Sequence, residues 1–208
     1  MKKTEQIERI YEFYDQYKDA PHGLESLSGL GSCTDTTQDI RRELPEIFKK
    51  YEIKSFIDAP CGDFFWMKMI NLEGIKYTGF DVVTELVATN NDKYAFTKNI
   101  SFKLKDIIND KLPKADLILC RDFLFHISNE NINKAIENFK ASGATYLLAT
   151  YFDYTLFNTD IAPEDRGVGF RKINIEIEPI NMGAPIYKFY ETCSDKNEGR
   201  CLGLWKIN

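Results

Sequence analysis

Ser55-Phe56-Ile57-Asp58-Ala59-Pro60-Cys61-Gly62-Asp63-Phe64 carries a short apolar run into a turn that holds a single glycine between two aspartates. An apolar run of this length bounded by turn formers reads as a buried strand. The pattern repeats downstream. Residues 77–80, 101–104, 116–120 and 145–150 are further short apolar runs, and residues 64–70, 84–91 and 129–139 between them have helical character. Alternation of strand and helix, with connections long enough to hold a crossover, predicts an α/β fold. Its sheet should be doubly wound, mostly parallel and covered on both faces.

Outside that centre the chain changes character. Ile7, Ile10, Tyr11, Tyr14 and Tyr17 recur at helical spacing and predict an amphipathic N-terminal helix. Residues 22–35, which include His22, are rich in Gly, Ser and Leu and predict an irregular, mobile segment. Thr36 followed by Asp39 resembles a capping box opening a helix that turns Ile40, Leu44, Ile47 and Phe48 inward, with Pro45 expected to kink or divide it. Near the C-terminus, residues 186–192 and 201–207 flank Ser194-Asp195-Lys196-Asn197-Glu198-Gly199, which predicts an antiparallel hairpin closing one edge of the sheet.

Composition narrows the class. At 208 residues the chain has the size of one domain, with residues 1–50 as N-terminal helices and lid, 51–150 as binding core and 151–208 as substrate-side insertion and hairpin. No apolar run reaches the ~18 residues of a membrane span, and the charged start is unlike a signal peptide. A net charge of -5 argues against a nucleic-acid partner. Five scattered cysteines without a Cys-x-x-Cys pair, and only two histidines, predict no metal site and a reducing cytoplasm.

In open α/β sheets the ligand lies beyond the carboxyl ends of the strands, where the strand order reverses. Asp58, Asp81, Asp106 and the pair Arg121-Asp122 stand at successive predicted strand ends. One acidic strand end is commonplace as a helix cap; several in register point to a polar, partly cationic ligand. A pyrophosphate loop needs more glycines and avoids a carboxylate where Asp63 stands, which disfavours a nicotinamide-dependent oxidoreductase. S-adenosyl-L-methionine brings no phosphate, a sulfonium, an ammonium and a ribose diol. Asp81 follows Asp58 by 23 residues, near the spacing of about 20 expected for a ribose ligand. Asp106 would take the adenine amino group, with Ile107 against the ring.

With these motifs, Ser28-Gly29-Leu30-Gly31-Ser32, Leu119-Cys120-Arg121-Asp122-Phe123-Leu124-Phe125-His126 and Gly203-Leu204-Trp205 complete a pattern spanning roughly residues 28–205. It resembles the class I S-adenosylmethionine-dependent methyltransferases, in particular small bacterial members associated with surface-polysaccharide tailoring. The resemblance implies a Rossmann-like fold, with Gly62, Asp81 and Asp106 as cofactor contacts and Arg121-Asp122 beside the methionine portion. Pro60, Asp63 and Val82 belong to the same turns. Ser32 and Arg41 are candidates to close over the cofactor, Arg41 by pairing its carboxylate, although an exposed helix face is an equally ordinary place for Arg41 and Arg42. Trp66 reads as core packing more than as a contact.

For the chemistry, His126 and Asp122 are the candidate bases, and nothing in the sequence chooses between them. Tyr151, Asp153 and Tyr154 follow the fifth strand and are placed to line an acceptor pocket. Arg166, Arg171 and Lys172 suggest an anionic acceptor. The resemblance implies O-methylation of a sugar or of a phosphate- or phosphoramidate-bearing capsule precursor. A noncatalytic methyltransferase-like partner subunit is the alternative from another class, and the oligomeric state is open.

Overall fold

The computed structural model describes residues 5–18, 25–192 and 199–208. Its seven-stranded sheet has the order β3-β2-β1-β4-β5-β7-β6. The strands are β1 (Ser55–Asp58), β2 (Lys76–Asp81), β3 (Ile100–Leu104), β4 (Leu117–Cys120), β5 (Tyr146–Phe152), β6 (Tyr187–Tyr190) and β7 (Arg200–Lys206). The first five run parallel, while β7 pairs antiparallel with both β5 and β6. The hairpin therefore closes the sheet as expected; most of its turn, with Cys193, lies outside the described residues.

Side chains on successive strand positions point to opposite faces, so each buried strand feeds two apolar layers. Leu117 and Leu119 of β4 enter one layer, together with Ile40, Leu44, Ile47 and Phe48 of α2 (Gln38–Lys50). Ile118 and Cys120 enter the other, where Ile132, Ile136 and Phe139 of α4 (Asn129–Ala141) meet them. This two-layer burial drives the fold. It also holds α2 as one helix through Pro45, which neither divides it nor displaces its buried stripe.

Two local expectations fail for identifiable reasons. Thr36 does not cap α2. Its hydroxyl donates to Leu30 O at 2.8 Å and Cys33 O at 3.0 Å, while the Asp39 carboxylate accepts from Thr192 N at 2.7 Å. Residues 64–70 hold only a short 3-10 turn, Met67–Met69. Phe64 has φ +59°, a left-handed backbone unsuited to opening a helix, and its ring is fully buried edge-on to Tyr77, Tyr94 and Phe102.

The remaining helices are α1 (Glu5–Lys18) and α3 (Thr84–Lys93). α1 crosses the carboxyl edge of the sheet. Its Tyr11 hydroxyl donates to Val82 O at 2.9 Å and accepts from Thr84 N at 3.0 Å. The segment after it is tied down as well, through Ser26, Leu27 and Ser28 to the Asp63 carboxylate.

Candidate functional site

The strand order reverses between β1 and β4, and a cavity of about 210 Å³ opens at that point. Its floor is the carboxyl edge of β1, β2, β3 and β4, contributing Asp58, Asp81, Asp106 and Asp122. Its roof is α1, through Gln6, Ile7, Ile10, Phe13 and Tyr14, together with Gly167 and Val168 of the connection between β5 and β6. Sequence reasoning placed the acidic floor and expected a lid within residues 1–50, without assigning any α1 residue to it. The α1 stripe was legible only as an apolar face, without the surface it covers.

Asp58 is 3% exposed and accepts from the Tyr77 hydroxyl at 2.8 Å. Burial, with the neighbouring Asp81 charge, raises its pKa to about 7. Asp81 is raised too, again chiefly by burial, although it accepts from Gly62 N at 2.9 Å and Val83 N at 3.0 Å. Two buried carboxyls held above their usual range favour a cation beside them. Gly62 has φ +55°, and a Cβ there would lie 2.0 Å from the Ser28 hydroxyl oxygen, so only glycine allows segment 26–28 to pass this close.

Asp106 orders the turn after β3, accepting from Ile108 N at 2.9 Å and Asn109 Nδ2 at 2.7 Å. Ser32, Pro60, Asp63, Val82, Ile107 and Arg121 also line the cavity. Asp63 nonetheless spends its carboxylate on segment 26–28, which makes it a loop clamp. Trp66 lines the cavity while packed in the core, with the Arg121 guanidinium 5.5 Å from its ring centre.

Several expected site residues are not brought to the cavity. Arg41 donates to Thr37 Oγ1 at 3.2 Å and Thr34 O at 2.7 Å, so its guanidinium braces the loop before α2. Tyr151 is buried against Trp205 with its hydroxyl on Glu176. Arg171 donates to Thr159 O, Phe125 O and Asn129 Oδ1, stitching the insertion to the body. Asp153 and Tyr154 also lie apart: Asp153 accepts from Lys188 and Tyr190, and Tyr154 is 62% exposed. Arg166 lines a second cavity of about 300 Å³ with Arg9 and Lys134, and its Nε is buried without a hydrogen-bond partner. The two cavities share Gln6 and Asp106.

His126 and Asp122 both line the main cavity, in different states. Nδ1 of His126 bonds to Gly169 O. Because a carbonyl oxygen only accepts, Nδ1 carries the proton and Nε2 keeps its lone pair. Burial lowers the His126 pKa, against the opposing pull of Gly169 and Asp122, so the ring is neutral at pH 7. For Asp122, burial pushes upward but the charges of Arg121 and Arg200 prevail and lower its pKa. Both its oxygens accept from Arg200, at 2.8 and 2.7 Å. A carboxylate so engaged is a poor proton acceptor, whereas His126 is a free one.

No protein-family model matches the chain. Among solved structures, the N-methyltransferase NodS of Bradyrhizobium japonicum in complex with S-adenosylhomocysteine superposes with a TM-score of 0.69. That match has 13% identity and covers 95% of this chain and 97% of that one. The 1,6-didemethyltoxoflavin N1-methyltransferase of Burkholderia thailandensis, also holding S-adenosylhomocysteine, gives a TM-score of 0.69, with 11% identity over 95% and 86%. The fold is that of the class I S-adenosylmethionine-dependent methyltransferases. In sequence, the chain is 30% identical over 114 residues to phosphoethanolamine N-methyltransferase of Plasmodium falciparum. That alignment covers 54% of this chain and 40% of the relative, so the chain spans less than half the length of the curated protein it matches. Among the described residues, no helix is long and apolar enough to cross a membrane.

Proposed function

We propose that the chain is an S-adenosyl-L-methionine-dependent methyltransferase acting on a small polar or anionic acceptor. One observation carries the reading above the others. Asp58, Asp81 and Asp106, at the ends of neighbouring strands, converge on a single roofed cavity where the strand order reverses. Their chemistry fits an adenosine compound bearing positive charge. Asp58 would face the ammonium, Asp81 the ribose diol and Asp106 the adenine amino group, with Ile107 and Val82 against the base. Arg121 and Ser32 frame the methionine end. When bound, the cofactor supplies a methyl already activated on a sulfonium.

The protein then has to orient an acceptor and receive its proton. His126 fits that task, since it enters the cavity neutral with Nε2 unprotonated. Arg166, with Arg9 and Lys134 in the adjoining cavity, offers positive charge for an anionic acceptor end. Of the acceptor classes, we favour oxygen of a sugar or of a phosphorus-bearing capsule precursor. The alternative is nitrogen, supported by the names of the relatives and by the same His126 geometry. A cytoplasmic enzyme, folded as one unit over residues 1–208 and without a nucleic-acid substrate, completes the reading.

Isothermal titration of the full chain with S-adenosylhomocysteine tests it. Binding should saturate one site, NAD and ATP should give no heat, and Asp81→Ala should abolish the signal. Saturable NAD binding would favour an oxidoreductase, and no binding of any nucleoside would favour a noncatalytic subunit. A labelled-methyl screen across phosphorylated amines, sugars and sugar phosphates would then separate nitrogen from oxygen acceptors.

A further inference from the structure

Beside the cavity, four charged side chains close a ring. Glu191 accepts from Arg121 Nε at 3.0 Å and from Arg121 NH2 at 2.9 Å through one oxygen, and from Arg200 Nε at 2.7 Å through the other. Arg200 NH2 holds both oxygens of Asp122, and Arg121 NH1 lies 3.2 Å from Asp122 Oδ2. The side chains are nearly inaccessible: Glu191 is 0% exposed, Arg121 4%, Arg200 7% and Asp122 19%. Two positive and two negative charges cancel.

The members have different reach. Asp122 and Arg121 line the cavity, whereas Glu191 and Arg200 flank the hairpin turn and line neither cavity. Arg121 also donates to Gly31 O at 2.7 Å and Thr36 O at 3.2 Å, so the ring fixes the loop carrying Ser32. Gly31 runs so close to the ring that a Cβ there would lie 2.7 Å from Asp122 Oδ2.

We propose that Glu191 and Arg200 are positioning residues of the acceptor site: Arg200 holds Asp122 and offsets its charge, Glu191 holds Arg121 and offsets its charge, and the balanced ring lets the buried His126 meet the acceptor as a neutral base. The role assigned to His126 rests on the methyltransferase reading; the electrostatic coupling does not. A buried ring of this kind is weak evidence for stability, because desolvating four charges offsets much of their attraction. Its location next to the proton acceptor gives it a second consequence. The charged groups acting on His126 are Asp122 from the turn after β4 and Arg171 from the insertion, itself 3.8 Å from Asp160. Gly169 O faces the ring directly, and from α1 Tyr14 lines the same cavity. Arg200 and Glu191 act one step back, through Asp122 and Arg121.

The two residues carry opposite charges, so their removal should move His126 in opposite directions. Ring-carbon-labelled histidine in the full-length protein reports this by NMR, because the chain has only His22 and His126, and loss of one signal in His126→Asn assigns the pair. In Arg200→Gln the His126 titration midpoint should rise, because the Asp122 charge is no longer balanced. In Glu191→Gln it should fall, and Arg200→Lys should bring it back toward wild type. Midpoints that stay put, or that move the same way in both variants, would overturn the proposal. Should Arg200→Gln not fold, Glu191→Gln decides alone: a lowered midpoint supports the ring, and an unchanged or raised one refutes it. S-adenosylhomocysteine titrated into the wild-type protein keeps the two readings apart, since failed binding removes the methyltransferase assignment and leaves the midpoints interpretable.

Discussion

Asp58 shows how a single buried group couples the cavity to pH. Its folded pKa, about 7, stands above the ordinary carboxyl value of 3.8. Between those values the folded protein keeps a proton that the unfolded chain has released. The ligand-free protein should therefore lose stability as pH rises from about 4 to about 7 at this group, and Asp58→Asn should flatten that slope in melting curves. A cationic cofactor favours the ionised form, so binding near and below neutrality must expel a proton. Calorimetry in buffers of different ionisation heat should detect that release, and affinity should weaken as pH falls through about 7. The strand-end acids were legible in the sequence because a parallel strand delivers its last residue to one rim. The arginines were legible only where a strand end places them: Arg121 lines the cavity as its position implied, whereas Arg41 on a helix does not. Its folded neighbours Thr34 and Thr37 take the Arg41 guanidinium instead.

Among the elements, α1 is tied by polar contacts to the sheet edge, to α4 and to the connection between β5 and β6. Tyr11 bonds the carboxyl end of β2 and the start of α3, Gln6 meets Asn131 at 3.0 Å, and Arg9 meets Pro163 O. Tyr11→Phe removes the first latch and should cost about 0.5–1.5 kcal/mol of closure. Hydrogen exchange should show this as faster exchange confined to residues 5–18, with the strands unaffected. Unchanged exchange there would mean that the apolar contacts of Ile7 and Tyr14 alone hold the helix down. The existence of α1 and of the sheet elements followed from periodicity. The failed helix at 64–70 did not, because Phe64 gives up helical backbone to complete an aromatic cluster built from β2, β3 and the end of α3. No local pattern records a partner so distant in the chain. The pairing of Glu191 with Arg200 was hidden for the same reason, since it exists only in the register that sets Tyr190 opposite Cys201.

For the molecule as a whole, β1, β2, β4, β5 and β7 feed both apolar layers, β3 and β6 one of them, and the cavity touches the carboxyl ends of β1 and β2 and the turns after β3 and β4 together. Unfolding should accordingly be one transition, with the N-terminal roof fraying ahead of it. S-adenosylhomocysteine at a hundredfold excess over its Kd should stabilise that transition by about 2.7 kcal/mol, read as a higher urea midpoint with an unchanged slope. A second transition that ignores the ligand would show that part of the chain folds independently of the cavity.

The covering of the cavity sets a rhythm as well as a shape. Tyr11, Arg9 and Gln6 hold α1 along one side of the cavity, so anything lodged between the sheet edge and that helix should leave faster once those contacts are broken. Residence time should then shorten as the N-terminal helix swings clear more often, and turnover would follow that motion if release is slower than the bond-making step.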